Sequence, residues 1–96
     1  MRKPKGVRKP KLRIKPDEPV YAIGIVSKLL GMPEWTLRAL EKEGLVQPKR
    51  LNRKIRVYSY NDLDKIQHIH YLMEEEGVNM NGVKYILRVE QKSVSF

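Results

Sequence analysis

Residues 23–44, IGIVSKLLGMPEWTLRALEKEG, decide the fold. In the first half, Ile23, Val26, Leu29 and Leu30 recur at helical spacing, which predicts a helix of about two turns with these four on its inner face. Gly31 ends it. Pro33 suits the first position of a second helix, where its missing N–H costs nothing, and Glu34 favours the positive end of the helix dipole. Residues 34–43 are good helix formers with Leu37 and Leu40 directed inward, and Leu45 joins them after the stop. Gly44 stands where a left-handed C-terminal cap is expected. Two short helices joined by Gly-Met-Pro read as a helix-turn-helix.

Working outward, residues 47–58 carry Lys49, Arg50, Arg53, Lys54 and Arg56 with no acid. Pro48 starts this segment, Leu51-Asn52-Arg53 can turn, and Ile55, Val57 and the tyrosines have strand character. Alternation puts Ile55 and Val57 on one face and Arg56 and Tyr58 on the other. A short basic hairpin after a helix-turn-helix is a wing, with a merely solvated surface hairpin as the alternative. Upstream, Val20, Tyr21 and Ile23 form a short extended lead-in. Downstream, Ser59 or Asn61 caps a third helix, with Asp62 and Asp64 near its start and an apolar stripe of Leu63, Ile66, Ile69, Leu72 and Met73 running to Gly77. Asn79 caps a last helix with Met80, Val83, Ile86 and Leu87 inward. The expected fold class is mostly α, a winged helix-turn-helix in the order strand, helix, helix, β-hairpin wing, helix, helix. It occupies residues 19–90 as one small domain, with a basic arm over 1–18 and a short tail over 91–96.

The charge is concentrated. Of a net +9 over 96 residues, residues 1–19 carry eight basic and two acidic side chains, net +6, and residues 47–58 carry +5. The remainder is slightly acidic, so two short segments hold the whole surplus. Such placement suggests an anionic partner, of which nucleic acid is the commonest. Lys-Pro pairs at 3–4, 9–10 and 15–16, with almost nothing apolar between them, read as a disordered extended arm with a reach on the order of 50 Å. It either tracks phosphates or a minor groove, or serves as a solubilising tail.

Other classes fall away. The absence of cysteine excludes a disulfide scaffold, a thiolate zinc site, an iron–sulfur cluster and a cysteine nucleophile. No apolar run approaches the roughly 20 residues of a membrane span, and the basic N-terminus lacks a signal peptide's apolar stretch, so the sequence reads as cytoplasmic and nucleoid-associated. His68 and His70 lack carboxylate or cysteine neighbours at ligand spacing, and no metal or cofactor is expected. Without a glycine-rich phosphate loop, triad or acid pair, no enzyme is expected. Glu74-Glu75-Glu76 reads as a solvated face, with a protein-docking patch as the alternative, and the four methionines read as filler.

Residues 21–89 resemble the DNA-binding domain of MerR-type transcription regulators. The matching pieces are Tyr21-Ala-Ile-Gly, the helix over 26–31, Thr36-Leu37-Arg38, Glu41 with Gly44-Leu45-Val46, Pro48, Arg50, Arg56 and Tyr58. The ending Glu76-Gly77-Val78-Asn79-Met80, followed by Gly82-Val83-Lys84, is most similar to HspR-like heat-shock repressors. The resemblance implies a sequence-specific double-stranded-DNA-binding regulator, a repressor at stress-gene operators, with a DnaK-type chaperone as co-repressor. Three departures stand out. Ala39 and Leu40 occupy the positions of the family's aromatics after Thr-Leu-Arg, and Lys54 aligns with its wing glycine. Family members also continue into a long dimerisation helix and an effector region, whereas this sequence ends at Phe96. The usual dimerisation helix is thus expected to be absent, with a homodimer left open. Alternatives are an architectural or excisionase-like DNA-binding protein, acting as a monomer or cooperative array, and a protein-interaction adaptor on a winged scaffold.

A recognition helix points its N-terminal residues at base edges in the major groove. Arg38 is the leading candidate for a base or phosphate contact, since guanidinium pairs bidentately with guanine, with an ion pair to Glu34 or Glu41 as its alternative. Thr36 and Lys42 are candidates beside it. Trp35 is expected partly in the core, with a DNA contact as the alternative. On the wing, Arg50, Arg53, Lys54 and Arg56 are expected on phosphates, with Tyr58 either donating its hydroxyl or packing on the wing base. Asn79, Asn81 and Lys84 lie at the last helix's start, where free amides can hold a phosphate.

Overall fold

The computed structural model describes residues 13–94. Its elements are β1 (Tyr21–Ala22), α1 (Ile23–Leu30), α2 (Glu34–Lys42), β2 (Lys49–Leu51), β3 (Ile55–Tyr58), α3 (Tyr60–Glu74) and α4 (Met80–Val94). This is the expected order. The arm over residues 1–12 lies outside the described residues.

The helix-turn-helix forms as its glycines require. Gly31 caps α1 with φ +64°, and Gly44 follows α2 with φ +76°, a region that costs a side-chain-bearing residue about 1–2 kcal/mol. At the end of α2, Leu45 N–H donates to the Leu40 carbonyl and Gly44 N–H to the Glu41 carbonyl. That is a Schellman closure, and it turns Leu45 and Val46 into the core. Pro33 is the residue preceding α2 rather than its first helical position. Val26, Leu37 and Leu40 are buried as expected, but Leu29 is 60% exposed. Nine residues or fewer give each short helix a narrow inner face, and the inner side of α1 is filled by Ile23, Val26 and Leu30.

The wing is tied to the lead-in strand, which the sequence did not announce. The antiparallel sheet has the order β1-β3-β2, pairing Tyr21 with Tyr58 and Ala22 with Val57. Val20 N–H extends this pairing to the Tyr58 carbonyl. In the hairpin, Lys49, Arg50 and Leu51 oppose Val57, Arg56 and Ile55. Lys54 N–H closes the tip onto the Leu51 carbonyl, with Asn52 and Arg53 at φ +51° and +64°, the pair of left-handed residues that a type I′ reversal uses. The left-handed conformation thus falls on the two residues before Lys54.

Between the wing and α3, Ser59 rather than Asn61 is the cap. Its hydroxyl accepts from Asp62 N–H while the Asp62 carboxylate accepts from Ser59 N–H. Leu63, Ile66, Ile69 and Leu72 are buried on α3, and Val83 of α4 packs into the same core. Asn79 caps α4 by accepting from Gly82 N–H. Two boundaries shift. Helix α4 runs to Val94, so residues 91–94 are helical rather than tail. At the other end, residues 13–18 do not all behave as a free arm, because the Pro16 carbonyl accepts from Asn61 N–H and a turn joins Lys15 to Glu18. Among the described residues no helix is long and apolar enough to cross a membrane.

Candidate nucleic-acid interface

Helix α2 buries Leu37 and Leu40 and half-buries Glu34, Thr36, Ala39 and Glu41, leaving Trp35, Arg38 and Lys42 exposed. Their spacing of i, i+3 and i+7 draws one stripe along the helix, opposite its core face. Three of the four α2 candidates therefore share a surface, while Thr36 sits at its margin. Trp35 corrects the expectation of a core position: it is 70% exposed. Arg38 donates to Glu34 at 3.2 Å with both side chains well exposed, so the alternative ion pair exists in the free protein. Such an exposed i, i+4 pair contributes only about 0.3–0.5 kcal/mol and yields readily to a better anion.

The wing cations divide into two classes. Arg53 and Lys54 at the tip, and Lys49 at the start of β2, are exposed and pair with no acid among the described residues. Arg50 and Arg56 both donate to one carboxylate on α2, that of Glu41, at 3.0 Å and 2.5 Å. The two arginines bring Glu41 below the ordinary 4.5 of a glutamate, chiefly through the Arg56 hydrogen bond and against the opposing effect of burial. The reason lies in the register. Arg50 and Arg56 face each other across the hairpin, an arrangement of like charges that destabilises a strand pair. Glu41 compensates that repulsion and thereby sets how the wing leans on α2. From the sequence, Glu41 stands in a family motif and as an alternative partner of Arg38, not as a partner of the wing. The signal available was a hairpin with five cations and no acid, which needs an acid from elsewhere.

Tyr58 is the second correction. Its side chain is fully buried and its hydroxyl finds no hydrogen-bond partner, so it packs at the wing base and offers nothing to a ligand. Burial pushes its phenol above the ordinary value. Alternation correctly put Arg56 and Tyr58 on one face, but that face looks toward the helices, while Ile55 is turned outward and exposed.

Lys84 lies apart from the α2 stripe. It pairs with Glu43 at the end of α2 and lines a cleft of about 290 Å³ with Lys65, Leu87 and Arg88. Lys84 holds Glu43 below the ordinary carboxylate value. Asn79 is engaged in capping, and Asn81 is exposed. His68 meets Glu90 at 3.1 Å across α3 and α4, and Tyr71 donates to Glu76 of the acidic run. Among the described residues no cluster of three or more His, Asp or Glu is placed to hold a metal ion.

An exposed helical stripe beside a basic hairpin, on a four-helix winged core, is the form of a DNA-reading head. Residues 21–90 match the family model described as MerR HTH family regulatory protein. The chain belongs to the MerR HTH family. Over 87 residues it is 33% identical to a protein from Streptomyces coelicolor named heat shock protein HspR, covering 91% of this chain and 58% of that one. It is 36% identical over 73 residues to the HTH-type transcriptional regulator GlnR of Bacillus anthracis, covering 76% and 56%. To the HTH-type transcriptional regulator TnrA of Bacillus subtilis it is 38% identical over 76 residues, covering 79% and 68%. The chain spans just over half the length of the first two relatives. The MerR family comprises DNA-binding regulators.

Proposed function

We propose that this chain is a sequence-specific double-stranded-DNA-binding repressor of the HspR-like kind. Helix α2 enters the major groove with Trp35, Arg38 and Lys42 toward the bases, Thr36 at the edge of the contact, and Arg53 and Lys54 on the backbone beside it. The observation that carries this reading is the exposed stripe on α2, the helix that Glu41 ties to a wing whose tip bears two cations with no acid partner among the described residues. The match to HspR over nearly the whole chain supports the repressor part, and GlnR and TnrA support regulation more broadly. A DnaK-type chaperone as co-repressor and a homodimer as the binding unit belong to the same reading. Arg50 and Arg56 act through the wing's posture as well as through phosphates, since they already share a carboxylate. The basic residues of the segment 1–12 supply a second electrostatic grip. Contacts of this kind position the protein and give salt-dependent affinity, while base edges carry the sequence information.

Selection of bound molecules from random duplexes, followed by footprinting, tests the proposal. A defined enriched sequence with a two-fold footprint is the expected result. Binding without enrichment would transfer the protein to the architectural class, and a failure to retain duplex at low salt would end the DNA reading.

A further inference from the structure

Trp35 is the only tryptophan of the chain, and it occupies the second position of α2. At 70% exposure it is the most exposed large apolar side chain among the described residues, and it makes no hydrogen bond or ring contact with any of them. The fold does not need it there: Leu37 and Leu40 already fill the inner face, and the adjoining turn is closed by backbone and Ser27 contacts. Its neighbours on the same stripe are Arg38 and Lys42, which an anionic helix attracts. An indole at the tip of such a stripe offers a large apolar face and a single N–H donor, a surface better matched to an apolar group on a base edge than to a charged phosphate. Within the major groove one base presents an apolar group, the 5-methyl of thymine.

We propose that Trp35 is a specificity-determining residue that reads thymine, packing its ring face on the 5-methyl group of a base in the major groove. This rests on the DNA-binding reading above and deepens it by naming the base class that the N-terminal turn of α2 selects. Arg38, one turn further along, is left to a polar base edge or a phosphate. Trp35 is also the only aromatic side chain on α2.

The experiment starts from the duplex recovered by selection with the full chain. Each thymine is replaced in turn by deoxyuridine, which removes only the methyl group and leaves every hydrogen-bonding atom in place. Affinities are measured for the unaltered protein, Trp35→Ala and Trp35→Phe. At one or two thymines per recognition half, deoxyuridine should weaken the unaltered protein about fourfold, the effect of one methyl group removed from water. Trp35→Ala should bind more weakly at those sites and show no further loss with deoxyuridine, while Trp35→Phe should keep part of the discrimination. Indole emission should shift to the blue on the cognate duplex, and circular dichroism of the variants should match the unaltered protein because the side chain is exposed. A selected sequence with no invariant thymine, uniform indifference to deoxyuridine, or equal losses in the presence and absence of Trp35 would overturn the assignment while leaving DNA binding intact. Absence of any duplex binding would remove both readings together.

Discussion

Replacing Glu41 with glutamine removes one charge and changes almost nothing in shape, so it isolates what the carboxylate does for the wing. In the folded chain that carboxylate receives Arg50 Nη2 at 3.0 Å and Arg56 Nε at 2.5 Å, with side-chain exposures of 23% for Glu41, 21% for Arg56 and 40% for Arg50. The partly desolvated Arg56 bond contributes about 1 kcal/mol and the more open Arg50 bond about 0.5 kcal/mol. Glutamine keeps one acceptor, which retains about 0.5 kcal/mol of these bonds, but leaves two guanidiniums facing each other across the hairpin, which costs about 0.5 kcal/mol. Together these lower stability at pH 7 by about 1.5 kcal/mol, or roughly 6–12 °C in Tm for a domain of this size. The pH dependence has a definite sign. Because the arginines depress the folded carboxyl's pKa below its ordinary 4.5, the stabilisation is complete above that value and is lost as pH falls through the lower folded value. Urea titrations of the two proteins at pH 7 and pH 3 should therefore show a gap that is narrower in acid. A gap below about 0.5 kcal/mol at pH 7, or one undiminished at pH 3, would refute the compensation argument. The same variant should bind random duplexes more tightly and with a steeper salt dependence, since two guanidiniums lose their internal competitor.

Three further outcomes are expected. Tyr58→Phe removes a buried hydroxyl without a partner, so stability should hold or rise by up to about 1 kcal/mol with DNA affinity unchanged; a clear loss of affinity would return Tyr58 to the interface. Arg53→Gly relaxes the left-handed wing tip and, after the added freedom of the unfolded chain, should raise stability by about 0.5 kcal/mol while reducing the slope of log affinity against log salt by about 1. Arg38→Ala breaks only an exposed pair with Glu34 and should shift stability by less than about 0.5 kcal/mol, yet reduce discrimination between selected and random duplexes by about 1–3 kcal/mol; equal losses on both duplexes would reassign Arg38 to a phosphate.

The candidate site was legible in unequal parts. Arg53 and Lys54 could be read from charge alone, because a hairpin tip has few places to bury a cation. Arg38 and Lys42 followed from where Leu37 and Leu40 had to point. Trp35 did not, because its size and apolarity argue for burial, and only the count of residues already filling the inner face of α2 shows that no room is reserved for it. Tyr58 stayed open between donating its hydroxyl and packing on the wing base, and the structure shows the packing. Its alternation was right, but a two-faced strand does not announce which face the helices cover. Lys84 was expected beside a phosphate and in the free chain meets the Glu43 carboxylate, from a residue 41 positions earlier that no local pattern links to it.

Local chemistry determined the order of elements in this chain. The left-handed glycines 31 and 44, the apolar spacing in the first two helices, the Ser59–Asp62 box and the acid-free hairpin each act within a few residues, and all can be read in one dimension. Tertiary structure decided everything that depends on segments meeting. Strand β1 pairs with β3, the Arg56 face of the wing turns inward onto α2, Glu41 becomes the acid that the hairpin lacks, and Trp35 is left outside a core already full. The physical reason is that burial and ion pairing are settled by competition for a small interior. In a domain with two short helices over one small sheet, each place taken by one side chain is closed to the next.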